Sequence, residues 1–360
     1  MRNRMPSGPE WDWSLVVAVL VAILSAALLT WAPPGFAAEA ASANEIAATS
    51  RALERAQAAV VGIRVEAVAD ARSAATLGQT RQGSGVVIDD DGLVLTIGYL
   101  VLEAADVRLL TDDGRTIPAR VVGYDVATGF GLVRALAPLQ LAPVALGQPP
   151  GVQPGQMLMV ASGVANGGAG AVSATQMVAR RPFSGYWEYH IEGALFTSPP
   201  HPRHSGAGLF DAHGELLGVG SLFVGNVLSD EAGAAPIRAG NMFVPVDLLR
   251  PILAELRAQG RSSASARAWV GINCVERDGD LHVVRVTDDS PADVAGLQIG
   301  DRILRVDGQP VHSLAALWQS LWRGGVEREI TLDIERDRQR NALKVYSVDR
   351  MVTLRRAEGI

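Results

Sequence analysis

The stretch "GSGVVIDDDGLVLTIG", residues 83–98, restricts most tightly what this chain can become. Two short apolar runs flank an Asp-Gly pair, and Asp-Gly accepts the positive backbone angles of a tight hairpin turn. "VRLLTDDGRTIPARVVGY" repeats the device, with Asp113-Gly114 at its turn. Before these come "VVGIRVEAV", residues 60–68, rich in β-branched side chains, and a polar loop over residues 70–82. "GLVRAL" follows, and the unit ends near Pro138. A second unit begins at "APVALG" and "GVQPGQMLMVASG" and runs through "GAVSATQMVARR", "YWEYHIEGAL", "GLFDAHGELLGVGS" and "NMFVPVDLL". Several short strands per unit at close spacing, with turn signals between them, point to barrels or sandwiches. The 38 glycines and 19 prolines suit so many turns.

Other segments mark the boundaries. A short helix is expected over residues 44–58, and another over residues 246–259, stopped by Gly260. "GRSSASAR", residues 260–267, reads as a flexible linker. Beyond it, residues 268–350 give strands, a short helix, strands, a helix "SLAALWQSLWRGG" and final strands, a compact α/β module. Its helix carries Leu314, Leu317, Trp318, Leu321 and Trp322 at helical spacing. Most of these are expected in the core, with one tryptophan at a groove rim. Residues 351–360 form a tail.

The amino terminus carries an address. Residues 14–30, "SLVVAVLVAILSAALLT", are apolar and uncharged, Arg2 and Arg4 precede them, and no further Lys or Arg occurs until Arg51. The positive-inside rule puts such an N-terminus in the cytoplasm and the remainder across the membrane. Small residues in "GFAAEA" suit signal cleavage, whereas Trp13 and Trp31 bracket the span as interfacial anchors would. Anchor and cleaved signal both remain open, and both give an exported, periplasm-facing protein. Residues 1–42 are therefore assigned to this segment and an Ala/Pro-rich linker. A net charge of −6 argues against a general nucleic-acid binder. The single cysteine, Cys274, permits no intrachain disulfide and no cysteine-based metal site.

At this point the motifs resemble a family. "GSGVVID", "HSGAGLFDAHGELLG", "NMFVPVDLLRPILAELRAQG" and "SPADVAGLQIGDRILRVDGQPV" are together similar to the HtrA/Deg group, across roughly residues 45–350. The resemblance implies a mainly β protein. Two six-stranded, chymotrypsin-like β-barrels would fill residues 43–259, and a PDZ α/β module would follow over residues 268–350. It also implies a frequent trimer, no cofactor, and a Ser-His-Asp machine.

Carried over one position at a time, that machine is incomplete. Ser205 stands at the nucleophile. Tyr99 in "LTIGYLV" occupies the histidine's place, and Gly129 in "DVATGFGLV" that of the aspartate. The six histidines all lie at or beyond His190, so the first barrel can supply no imidazole. The family's oxyanion hole uses the amides of the serine and of the residue two before it, here Ser205 and Arg203. If that loop requires a positive φ, Arg203 is strained where glycine would not be.

The resemblance also places "WVGI", Trp269, Val270, Gly271 and Ile272, at the PDZ carboxylate-binding loop. The amides of Val270, Gly271 and Ile272 would hold a peptide's terminal carboxylate, and "INCVE" would pair with the peptide as an added strand. The expected partners are therefore peptide or protein C-termini, plus the membrane if the N-terminal segment is kept. Two other constellations carry less. His201 or His204, backed by Asp211 or Glu192, would be a substitute base only with the right geometry. His190, His201, His204 and His213 match no ligand spacing and read as solvated loop side chains, so no metal is expected. Tyr186, Trp187 and Tyr189 in "GYWEYH" read as packing rather than as a ligand groove. The sequence thus favours an exported, proteolytically inactive HtrA/Deg-like homologue that binds peptides or regulates. The alternative is an active serine endopeptidase using Ser205 with a non-standard base.

Overall fold

The computed structural model describes residues 36–165, 168–228 and 236–355, with side chains from residue 44 onward. The apolar segment over residues 14–30, and the choice between anchor and cleaved signal, lie outside the described residues. Among those described, no helix is long and apolar enough to cross a membrane.

Helix α1, Phe36–Ala58, begins eight residues earlier than the sequence suggests. "FAAEAASA" contains neither proline nor glycine and is mostly alanine, the strongest helix former, so residues 36–42 continue the helix rather than link to it. It leads into six strands: β1 (Val60–Ala67), β2 (Thr80–Asp89), β3 (Leu93–Ile97), β4 (Ala104–Leu110), β5 (Thr116–Tyr124) and β6 (Phe130–Ala135). They close as a barrel in the order β1-β2-β3-β6-β5-β4. The Asp-Gly hairpins fall where the sequence puts them. Gly92 and Gly114 both have positive φ at the β2–β3 and β4–β5 turns.

The second barrel has strands β7 (Met157–Ser162), β8 (Ala171–Ser184), β9 (His190–Ser198), β10 (Gly208–Phe210), β11 (Leu216–Val224) and β12 (Gly240–Pro245). Its order, β10-β11-β12-β9-β8-β7, mirrors the first. Strand β3 is buried at all five positions, because β11 of the second barrel covers the face it turns away from its own barrel. One continuous apolar core therefore runs through both barrels, from Val86 and Leu95 to Phe196 and Phe210.

The expected helix over residues 246–259 is split. A 3-10 turn spans Val246–Leu248, and helix α2, Leu253–Gln259, starts only after Pro251. Proline tolerates the first turn of a helix but not its interior. Gly260 closes α2 in the left-handed conformation, its amide bonded to the Leu256 carbonyl. The following segment is tied down rather than flexible. The Gly260 carbonyl accepts from the Tyr124 amide at 3.1 Å, Glu255 takes the Ser262 hydroxyl and the Ser263 amide, and residues 263–265 form a 3-10 turn.

The C-terminal module contains β13 (Ala268–Trp269), β14 (Ile272–Arg277), β15 (Asp280–Val286), α3 (Pro291–Val294), β16 (Arg302–Val306), β17 (Gln309–Pro310), α4 (Leu314–Trp322), β18 (Glu329–Arg336), β19 (Gln339–Tyr346) and β20 (Val348–Asp349). Ser290 and Ser313 cap α3 and α4 by accepting the amides of Asp293 and Ala316. That satisfies donors a helix start otherwise leaves unpaired. Leu317, Trp318 and Leu321 are fully buried, whereas Trp322 is half-buried and faces the Arg267 guanidinium at 5.4 Å from its ring centre.

Candidate active site and peptide groove

Ser205 sits where the two barrels meet, on a loop clamped between β2 and β11. Its carbonyl accepts the Ser84 amide at 2.9 Å, and the next amide, of Gly206, donates to the Gly220 carbonyl at 2.8 Å. Gly206 has φ of +74°, and a Cβ there would lie 2.0 Å from the Ser84 carbonyl oxygen. Gly220 is needed on the opposite side, since its Cβ would lie 2.0 Å from the His204 carbonyl oxygen. These close approaches explain the small residues around the serine.

Tyr99 reaches the same point from the first barrel. Strand β3 ends at Ile97, and a 3-10 turn over Gly98–Leu100 carries the ring. Arg81, buried beneath, donates to the Tyr99 and Leu102 carbonyls at 3.0 and 2.7 Å and so fixes the turn. Tyr99 Oη lies 2.8 Å from Ser205 Oγ and 2.9 Å from the Ser221 carbonyl oxygen. A bulge between Gly220 and Leu222 takes Ser221 out of the β11–β12 register.

A phenol has one proton and a carbonyl can only accept. Both contacts are satisfied when Tyr99 donates to Ser221 and Ser205 donates to Tyr99. That is the direction of a nucleophile facing its base, with a phenol in the base's place. Burial pushes the Tyr99 hydroxyl up to about 12. At neutral pH only about one molecule in 10⁵ would carry the phenolate, by the ordinary titration relation.

Gly129 lies at a turn with φ of +80°, and its carbonyl accepts the Gly98 amide at 2.6 Å. The Tyr189 hydroxyl donates to the neighbouring Thr128 carbonyl at 2.7 Å. Gly129 thus supplies a backbone acceptor and no carboxylate. Arg203 does not have a positive φ, so the expected strain is absent, and its guanidinium donates to the Ala169 carbonyl at 3.1 Å.

The histidines near the serine are occupied or isolated. His201 is buried rather than solvated. Its Nδ1 lies 2.8 Å from Ser173 Oγ and its Nε2 3.0 Å from Ser162 Oγ, so neither ring nitrogen is left for Ser205. Burial pushes its pKa down to about 4. His204 Nδ1 is buried without a hydrogen-bond partner among the described residues, and burial lowers its pKa also. The carboxylates proposed as backing are used elsewhere. Asp211 accepts the amides of His213 and Glu215 in its own turn, and Glu192 pairs with His190 at 3.0 Å. Among the described residues no three His, Cys, Asp or Glu side chains gather as a metal site.

The second candidate site is the loop before β14. Gly271 has φ of +91°, and a Cβ there would meet Ser290 Cβ at 2.3 Å. The amides of Val270, Gly271 and Ile272 converge on one carboxylate, that of Glu188 from the β8–β9 hairpin. Trp269 is not among these donors, since β13 pairs it with Val348 of β20. Nothing in the sequence singles out Glu188. It is one acidic residue among aromatics, and only the docking of the hairpin gives it a role.

The comparisons agree with this architecture. The trypsin-like peptidase domain family matches residues 83–219, and the PDZ domain family matches residues 268–346. A trypsin-like peptidase domain followed by a PDZ domain is the arrangement of the HtrA/Deg family, to which the chain is similar. It is 27% identical over 275 residues to a Pseudomonas fulva protein named "Probable periplasmic serine endoprotease DegP-like", covering 73% of this chain and 55% of that one. It is 25% identical to the periplasmic serine endoprotease DegP of Escherichia coli over 269 residues, covering 71% of this chain and 54% of that one. The HtrA homologue thus spans about half the length of these DegP-type relatives. Among solved structures, the HtrA-type protease AlgW with a decapeptide superposes with a TM-score of 0.51 at 20% identity, covering 84% of this chain and 98% of that one. A serine endoprotease from Yersinia pestis superposes equally well, at 0.51 and 22% identity, covering 84% of this chain and 97% of that one. At such identities the structural likeness carries the fold alone.

Proposed function

We propose that this HtrA homologue is a pseudoprotease of the bacterial envelope that binds the C-termini of other proteins rather than cutting them. One observation carries the proposal: the atom facing Ser205 Oγ at 2.8 Å is a tyrosine hydroxyl with its pKa pushed up to about 12. A serine hydroxyl attacks a peptide carbonyl only when a base takes its proton in the transition state. A phenol that donates to Ser221 cannot also hold that proton, and among the described residues no carboxylate hydrogen-bonds the Tyr99 hydroxyl.

The envelope assignment rests on the apolar segment over residues 14–30 and on the "periplasmic" names of the DegP-type relatives. The binding role rests on the PDZ match and on a loop whose three amides hold a carboxylate. Strand addition with an anion at its end is how such grooves read a chain terminus.

A fluorophosphonate probe on the full chain tests the inactive reading. The expected result is no labelling above that of Ser205→Ala, and no cleavage of unfolded casein. Labelling abolished by Ser205→Ala would overturn it in favour of an endopeptidase with a non-standard base.

A further inference from the structure

The PDZ groove is already filled, and by the chain itself. The tip of the β8–β9 hairpin, residues 184–190, meets the free edge of β14 through residues 186 and 187, in the manner of an added strand. Trp187 forms an antiparallel bridge with Asn273, and the Tyr186 carbonyl accepts the Cys274 amide at 2.7 Å. From the other wall, Trp318 Nε1 of α4 donates to the Gly185 carbonyl at 2.9 Å.

Where this strand meets the loop, the Glu188 carboxylate takes over. Its Oε1 accepts from Gly271 at 2.7 Å and Ile272 at 3.0 Å, and the Val270 amide reaches both oxygens at 3.3 and 3.2 Å. The hairpin therefore supplies both parts of a C-terminal ligand, a paired backbone and an anion at its end. Glu188 is only 5% exposed, and a buried carboxylate is tolerated only when donors surround it. Arg350, just beyond β20, donates to the Glu188 carbonyl at 3.1 Å and fastens the hairpin from outside. Tyr189 anchors its base in the barrel, with the Trp187 ring stacked on it at 5.7 Å and 15°.

We infer that the 184–190 hairpin is an internal ligand that holds the PDZ groove closed, so that a foreign chain end binds only by displacing Glu188. The inference rests on the peptide-binding reading above. The partner is a protein terminus with a free α-carboxylate that enters antiparallel to β14, as residues 186–187 do. If the groove is open only a fraction of the time, the apparent affinity for that partner falls by the same fraction.

The test uses the full chain and a fluorescein-labelled Ser-Gly-Tyr-Trp-Val peptide, with its C-terminus free or amidated. Binding is measured for the wild type, Glu188→Ala and Glu188→Gln, with hydrogen exchange of the 270–274 amides followed in parallel. Glu188→Gln keeps an acceptor in the loop and guards against a folding defect. The expected result is that the free-carboxylate peptide binds Glu188→Ala at least about tenfold more tightly than the wild type, with Glu188→Gln between them. The amidated peptide should bind none of them, and the 270–272 amides should be protected in the wild type and released in Glu188→Ala. Equal affinity for wild type and both variants would overturn the internal-ligand inference while leaving peptide binding standing. No binding by any of the three would overturn the peptide-binding reading instead. Amide exchange then decides the closure alone: protection lost in Glu188→Ala sustains it, and unchanged exchange overturns it.

Discussion

Replacing Tyr99 with phenylalanine removes one oxygen from a buried junction and nothing else. That oxygen lies 2.8 Å from Ser205 Oγ and 2.9 Å from the Ser221 carbonyl, a group the β11 bulge has taken out of the strand register. The ring itself packs against the shared core and stays in place. Leaving a buried acceptor without its donor costs about 1–3 kcal/mol. Taking roughly 1.5 kcal/mol for the Ser221 carbonyl, and about 2–4 °C per kcal/mol for a domain of this size, Tyr99→Phe should lower Tm by about 3–6 °C. Differential scanning calorimetry of the full chain reads this directly. Fluorophosphonate labelling of the same variant should stay at the wild-type background, since the proposed reading makes the phenol a structural strut and not a base. A Tm within about 1 °C of wild type would refute the hydrogen-bonding argument. Labelling seen in the wild type and lost in Tyr99→Phe would refute the chemical one.

Other outcomes follow from neighbouring residues. His201 is held neutral by burial, with its pKa down at about 4 against an ordinary 6.5. The unfolded chain takes up that proton first as pH falls, so its stabilising contribution is complete above about pH 6.5 and is lost towards pH 4. Between pH 7 and 4.5 this one side chain should cost roughly 2–3 kcal/mol, and a urea-unfolding series should show a shallower acid slope for His201→Gln. Identical slopes would remove His201 from the account. Gly206→Ala should destabilise strongly, by about 2 kcal/mol or more, because it combines a positive φ with a Cβ 2.0 Å from the Ser84 carbonyl oxygen. A urea midpoint unchanged by this substitution would contradict the close barrel-to-barrel contact.

Sequence alone determined a great deal here. Asp-Gly pairs between β-branched runs dictate hairpins through local backbone preferences, and the hairpins of β2–β3 and β4–β5 lie where those pairs occur. The helix starts at Ser290 and Ser313 are equally local, since each cap reaches an amide only three residues away. The absence of histidine before position 190 is also a fact of sequence, and it bears on Ser205 whatever the fold. Helix limits were less legible, because the split at Pro251 and the early start at Phe36 depend on which competing preference wins over several residues.

Other features were decided only by tertiary structure. His201 reads as a loop side chain, yet Ser162 and Ser173 from β7 and β8 enclose it. Tyr99 and Ser205 are 106 residues apart, and only the packing of two closed barrels brings their oxygens into contact. Glu188 carries no local signal, because its role comes from a loop more than 80 residues later that presents three unpaired amides in the same direction. Local rules act through backbone torsions and near neighbours, so they specify turns, caps and strands. Which distant groups share a buried polar site is fixed by how those elements close on one another, and in this chain that closure sets both the tyrosine against the serine and the glutamate in the groove.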